Sequence, residues 1–257
     1  MHNYLIKLGR NDDERRLIAR LNELVQKAAL GVCGQSDFMD LRQQELARSV
    51  AVNEPSIEWD LNGGYAEAER QRLLVFPQWE ENADARIAYL RIIHKEFQEQ
   101  SLGHRDYLGA VLNLGLKREK LGDIVVQNTM AFLLVDIGVA EFICQQLTRV
   151  KHSSVAVEMI PSEEFIFQSP ELRVAQLSLA SLRLDAAIAA SFNLSRSDVD
   201  AYIEGGNAKI NHMEVYKSSA AVKAGDLISI RGLGRFRLDE IGGKSRKGRH
   251  NVQISRW

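Results

Sequence analysis

The sequence predicts an α+β protein in three parts: a helical hairpin in residues 1–62, a ferredoxin-like α+β sandwich in 63–168, and a small domain of two helices on a small sheet in 169–257. Three observations predict it. Apolar residues recur at helical spacing between Asn11 and Val50. Strand-like and helical stretches alternate between Arg72 and Ile160. Two closely spaced helix signals precede alternating residues between Leu182 and Arg231. At 257 residues the chain is longer than any one of these parts needs, and two or three domains are the natural division.

An apolar share of 45% and a charged share of 26% are those of an ordinary globular protein. The sequence has no apolar run of about 18 residues, and Met1 to Arg10 lacks the apolar core of a signal peptide, so a cytoplasmic protein without a membrane partner is expected. Cys33 and Cys144 have no CxxC partner and read as reduced thiols rather than a disulfide or zinc site. The formal net charge is −1 but unevenly shared: from Arg183 onward there are 13 basic and 8 acidic residues, against 20 and 26 upstream. A polyanion would be met by the C-terminal part.

Asn11-Asp12-Asp13-Glu14 supplies a cap and an acidic first turn, and Leu17, Ile18, Leu21, Leu24, Val25 and Ala28 then share one helical face. Gly31 and Gly34 interrupt the pattern, and a second helix over Asp37 to Val50 turns Phe38, Leu41 and Leu46 inward. Pro55 and Asn62-Gly63-Gly64 mark the next 15 or so residues as a connector.

In the middle section, Arg72 to Phe76 and Ile87 to Ile93 are strand-like around a turn-rich Pro77 to Asp84. A helix over His104 to Leu114, a hairpin of Ile124–Val126 and Phe132–Val135, a helix over Val139 to Leu147 and a strand over Val155 to Ile160 complete a mainly antiparallel, RRM-like sandwich. Gly115 to Asp123 is a glycine-bounded loop carrying Lys117, Arg118 and Lys120. It is either a solvated connector or an auxiliary grip on a phosphate backbone. Phe165 to Leu172, with Pro170, reads as a link to the last part.

There, Arg183-Leu184-Asp185 opens a short helix with Leu184, Ala187 and Ile188 inward. Ser195 with Asp198 three residues on has the spacing of a capping box, Val199, Tyr202 and Ile203 recur at helical spacing, and Gly205-Gly206 ends the second helix. Ala208 and Ile210 alternate with polar residues as in a half-buried strand, a turn at Asn211-His212 leads to Val215 and Lys217, and Gly225-Asp226 turns into Leu227 to Ile230. Arg183, Arg196, Lys209 and Lys217 are candidates for a cationic face where helices meet sheet. Residues 231–257 form a basic, glycine-rich tail with Arg231, Arg235, Arg237, Lys244, Arg246, Lys247 and Arg249, expected to order on contact with RNA. Phe236 and Trp257 could stack on bases, or Phe236 could fill the small core.

The order R-L-D, S-R, G-x-x-x-x-N, K, G-D resembles the αL-type RNA-binding domain named after ribosomal protein S-four, with Arg183, Asp185, Ser195, Arg196, Gly206, Asn211, Lys217, Gly225 and Asp226 at matching positions. Ala208, His212 and Ser218 stand where that family often has valine, glycine and proline. From Gly63 to Trp257 the chain also resembles the bacterial YlmH family, through GLKREKLGDI, Gly64 to Arg70 and SIRGLGRFRL. That resemblance implies an RNA-binding middle domain, association with the large ribosomal subunit and tRNA, and a role in rescue of stalled translation. It implies no cofactor.

Catalysis has little support. Gly234 to Asp239 mimics the loop of pseudouridine synthases but lies beyond the small domain with only 18 residues following. Gly232-Leu233-Gly234 precedes no helix that would complete a nucleotide site, and the histidines show no metal-ligand spacing, so no metal is expected. Two alternatives stay open: an RNA-modifying enzyme acting around Asp123 or Asp136, and a cell-division adaptor docking through the acidic N-terminal helices.

Overall fold

The computed structural model describes residues 8–81, 83–94, 102–127, 130–167, 173–211, 213–245 and 248–256. The chain divides into two compact units, Met1–Gln168 and Ser169–Trp257, and the architecture is α+β. Among the described residues no helix is long and apolar enough to cross a membrane.

The first unit begins with α1 (Asp12–Ala29), capped by Asn11, whose Oδ1 accepts the Glu14 N–H at 2.8 Å. Its buried stripe is Ile18, Leu21, Val25 and Ala28. Helix α2 (Leu41–Ala51) starts later than the Asp37 expected, because Asp40 and Gln43 form a reciprocal capping box with both bonds at 2.9 Å. Phe38 therefore lies in the lead-in to the helix, and is fully buried there.

Both helices pack on a three-stranded antiparallel sheet of order β1-β3-β2, made by β1 (Gly34–Gln35), β2 (Ile57–Asn62) and β3 (Arg72–Pro77). Two expectations are corrected here. The connector after Pro55 contains strand β2, which Asn62-Gly63-Gly64 terminates rather than replaces. The strand expected at Arg72–Phe76 forms, but pairs with β1 and β2 rather than with the middle sheet.

A second sheet of the same unit comprises β4 (Ile87–His94), β5 (Leu121–Gln127), β6 (Met130–Asp136), β7 (Arg149–Val150) and β8 (Ser153–Ile160) in the order β5-β6-β4-β8-β7, every neighbour antiparallel. Helix α3 (His104–Leu112) lies between β4 and β5 in sequence, and α4 (Ile137–Gln146) follows β6. Alternation along the strands sends Leu90, Ile92, Leu133 and Val135 into a core with Tyr107 and Val111 of α3 and Ala140 and Ile143 of α4.

The opposite face carries Tyr89, Val125, Phe132 and Ile160, and the chain covers it with Tyr65, Phe165 and Phe167. Phe165 lies 5.3 Å from the rings of both Tyr65 and Phe132. Phe165 and Phe167 of the expected linker thus pack, half-buried, on this face. Gly64 lets the chain pass close: its φ is +95°, and a Cβ there would meet Leu134 Cδ2 at 2.6 Å.

The second unit is a six-stranded antiparallel sheet of order β11-β10-β12-β13-β14-β9. Its strands are β9 (Arg173–Leu179), β10 (Ala208–Ile210), β11 (Met213–Glu214), β12 (Leu227–Ile230), β13 (Gly234–Lys244) and β14 (His250–Arg256). Helices α5 (Leu184–Phe192) and α6 (Arg196–Glu204) pack on it through Leu184, Ile188, Val199 and Ile203, which meet Ile228, Phe236, Leu238, Val252 and Ile254.

The tail expected to order only on contact is corrected by this sheet. Strands β13 and β14 pair antiparallel, because Phe236 and Leu238 alternate with Arg235 and Arg237 and pair in register with Arg256 and Ile254. Phe236 is fully buried, edge-on to Phe192 at 5.7 Å, and so cannot stack on a base. Pro170, His212, Arg246, Lys247 and Trp257, all named from the sequence, lie outside the described residues.

Candidate nucleic-acid interface

The candidate cations Arg183, Arg196 and Lys217 lie at the start of α5, at the start of α6 and on the loop after β11. Arg183 is the residue before α5, and its guanidinium is clamped by Asp185, with Nε to Oδ1 at 3.1 Å and Nη2 to Oδ2 at 2.8 Å. The Asp185 hydrogen bond and charge raise the Arg183 pKa still further. The clamp uses two of five guanidinium N–H donors and fixes the plane in which the others point.

The loop closes on this point: Leu184 N–H donates to Ala220 O at 2.9 Å, and Asp185 N–H donates to Ser218 O at 3.1 Å. Ser218 Oγ in turn donates to Asp200 of α6 at 2.5 Å. Arg196 lies one turn before Asp200, and Lys217 lies one residue before Ser218. Both are exposed, on the α6 and loop segments that the Ser218–Asp200 and Asp185–Ser218 bonds tie beside the start of α5.

Other candidates from the motif are spent on the fold. Ser195 caps α6, accepting the Asp198 N–H at 3.2 Å and donating to its carboxylate at 2.6 Å. Asn211 adopts φ +48° at the β10–β11 turn. Its Oδ1 accepts the Leu227 N–H at 2.9 Å and its Nδ2 donates to Asp226 at 2.8 Å, so both ends of the amide hold the two strands and the Gly225-Asp226 turn together.

Lys209, Arg235 and Arg237 occupy the sheet face away from the helices. Lys209 and Arg235 flank Ser229 in register, and Arg237 lies opposite Leu227. Lys209 approaches Glu214 at 3.8 Å, and Arg237 pairs with Asp239 at 2.8 Å. Arg231 and Lys244 are exposed, on the turn after β12 and at the end of β13, while Arg249 is tied to Ser178 of β9 through Oγ and the carbonyl. The structure thus splits the expected grip into a helix-edge cluster, a sheet-face row and hairpin-tip cations.

One contributor was missed from the sequence. Tyr216 is 60% exposed beside Lys217, its ring resting on Gly206 and its hydroxyl donating to Glu214 at 2.8 Å. An aromatic next to a cation on a loop was the available signal.

In the first unit, the three loop cations have different fates. Lys117 projects into solvent, 4.0 Å from Glu119. Arg118 donates to the carbonyls of Leu121 and Gly122 at 2.6 and 3.1 Å, and burial, helped by the like charge of Arg70, pulls its pKa down to about 10. Lys120 pairs with Asp37 at 2.6 Å and stands 3.9 Å from Asp136.

The two candidate catalytic carboxylates are occupied as well. Asp123 accepts from Tyr65 OH at 2.8 Å and from the N–H groups of Glu69 and Arg70 at 2.7 and 3.1 Å. Burial and then the Asp123 charge push the Tyr65 pKa far up. Asp136 caps α4 and pairs with Arg72 at 2.8 Å.

Comparison with known proteins gives the family. A family model described as "Putative RNA-binding domain in YlmH" matches residues 81–164, the β4–β8 section. The "Ribosome-associated protein quality control protein P2" of Bacillus subtilis (strain 168) is 33% identical over 223 residues, 86% of each chain. The chain belongs to the YlmH family. A solved structure, "Cell division protein ylmH from Streptococcus pneumoniae", superposes with a TM-score of 0.51 at 22% identity, over 62% of this chain and 98% of that one. That likeness speaks for the family's fold alone.

Proposed function

We propose that the protein is a non-catalytic RNA-binding factor that docks on the large ribosomal subunit and its tRNA, and acts in ribosome-associated quality control or rescue of stalled translation. The observation that carries this reading is the Arg183 guanidinium held in a fixed plane by Asp185, with exposed Arg196 and Lys217 on the α6 and loop segments tied beside it. A planar fork of that kind suits bidentate phosphate recognition. The Bacillus subtilis relative's name supplies the ribosomal context.

Residues 169–257 are read as an S-four-like domain, residues 63–168 as a ferredoxin-like, RRM-like module preceded by an N-terminal helical region. The β-α-β-β-α-β succession and the strand order of the second sheet support the middle assignment. The enzyme alternative is disfavoured because Asp123 and Asp136 are consumed by structural hydrogen bonds. The adaptor alternative predicts protein complexes that survive nuclease, whereas an RNA-docking factor loses its ribosomal partners on digestion.

Charge reversal at Arg183→Glu with Arg196→Glu is expected to lower co-sedimentation with large ribosomal subunits by about an order of magnitude or more. Unchanged co-sedimentation at matched salt, in a folded variant, would remove the basis for the proposal.

A further inference from the structure

The second sheet poses a problem for RNA binding. Modules of RRM type stack bases on aromatic residues of their two central strands, on the face away from the helices. In this chain the equivalent positions are Tyr89 of β4 and Phe132 of β6, and both are covered by Phe165, 5.6 and 5.3 Å away. Arg91 on the same face is neutralised by Glu158 at 2.6 Å and Glu164 at 3.2 Å. A strand face sealed by the chain's own aromatics and rimmed with carboxylates repels a polyanion.

The other side of the module differs. Between α3 and the segment running from the end of α4 into β7 lies a groove of about 520 Å³. Arg105, Arg149 and Lys151 line it together with Asn113, Gln146 and Thr148, a set of cations and amide or hydroxyl groups without an aromatic. Arg105 and Arg149 are exposed, and neither has an ion pair among the described residues. Lys151 is 55% exposed and bonds Asp106 at 2.8 Å.

Two backbone features open the site. Lys151 takes φ +52° in the two-residue turn joining Val150 and Ser153, a left-handed conformation where glycine or asparagine is the easier choice, so the turn spends strain to put a lysine at the groove mouth. On the opposite wall, a Cβ added to Gly109 of α3 would meet nothing within 4 Å, which leaves room for a backbone to approach the helix.

We propose that the groove lined by Arg105, Arg149 and Lys151 binds the ribose–phosphate backbone of RNA, and that this module therefore holds RNA by its helical side rather than by its sheet. Three cations along one trough fit successive phosphates, and Asn113, Gln146 and Thr148 offer hydrogen bonds to ribose hydroxyls. The inference rests on the reading of the protein as a ribosome-docking RNA binder, and places a second contact surface on the other compact unit.

The test uses the full chain and purified large ribosomal subunits, with affinity measured by co-sedimentation across a potassium chloride series. Arg105→Gln with Arg149→Gln is expected to weaken binding about three- to tenfold and to reduce the slope of log affinity against log salt by roughly one to two. Asp106→Asn, which releases Lys151 and removes the groove's carboxylate, is expected to tighten binding by about twofold or more, a change that misfolding would not imitate.

Wild-type affinity and slope in both groove variants, while Arg183→Glu with Arg196→Glu still fails to bind, would overturn the groove and leave the RNA-binding reading standing. Wild-type binding by all of these variants would overturn both. Competition of wild-type binding by polyglutamate as strongly as by polyuridylate, lost in the groove variant, would reassign the groove to an acidic peptide.

Discussion

Arg72→Met tests whether one buried guanidinium fastens the two sheets of the first unit. Arg72 is 2% exposed, and its guanidinium meets Asp136 at 2.8 Å, Ser36 O at 2.7 Å and Ala85 O at 3.0 Å, beneath the ring of Phe38. Methionine preserves most of the stem packing and removes every one of these bonds. Asp136 is left with the Gly138 N–H at 2.9 Å and Lys120 at 3.9 Å, and two carbonyls lose their donor.

Breaking a buried pair from one side costs about 3–5 kcal/mol. The residual Lys120 and the partial exposure of Asp136 put the expectation near 3 kcal/mol, equivalent to about 6–12 °C in Tm for a unit of this size. Urea and thermal unfolding followed by circular dichroism measure it. Asp136→Asn in the same background removes the orphaned charge, and the cycle should return a coupling of about 1–3 kcal/mol.

The pair also fixes an acid dependence. Burial alone would raise the Asp136 pKa, but the Gly138 N–H, Arg72 and Lys120 outweigh it and hold the carboxyl below its ordinary 3.8. A folded value below the unfolded one means the stabilisation is fully present above that ordinary value and is lost as pH falls through the folded value. The stability gap between wild type and Asp136→Asn should therefore close on acidification below about pH 4. An Arg72→Met protein that unfolds within about 1 kcal/mol of wild type at neutral pH would refute the reasoning.

Further outcomes are expected elsewhere. Phe165→Ala should uncover Tyr89 and Phe132, costing about 2–4 kcal/mol and raising binding of an apolar dye; unchanged dye fluorescence would show that the cover is not needed. Asn211→Ala should destabilise the second unit more than Asn211→Gly does, since both lose the bonds to Asp226 and Leu227 and only alanine also strains at φ +48°. In both, RNA affinity below the unfolding transition should stay within about threefold of wild type. A larger loss would make Asn211 a direct contact.

Helices α1 and α6 were legible because their signals are local: Asn11 and Ser195 cap, and the apolar stripes follow at once. Strand β2 was not, because Pro55 and the glycine cluster at 63–64 dominate its short alternation of Ile57, Trp59 and Leu61. Strands β13 and β14 were hidden by the weight of basic residues and glycine, though Phe236, Leu238, Val252 and Ile254 repeat with period two. The roles of Lys120 and Asp123 were not legible, since their partners Asp37 and Tyr65 lie 83 and 58 residues away in sequence.

Strand β14 sits between β13 and β9, and among the described residues β9 has no other neighbour in its sheet. Gln176 must wait 77 residues for Gln253. During synthesis, a nascent chain complete only to β13 carries β9 as an open edge, with Val174 exposed and no ladder to join. Strand β14 is thus a keystone: a chain truncated before His250 would hold both helices and most of its cations, yet present β9 as an unpaired, sticky strand.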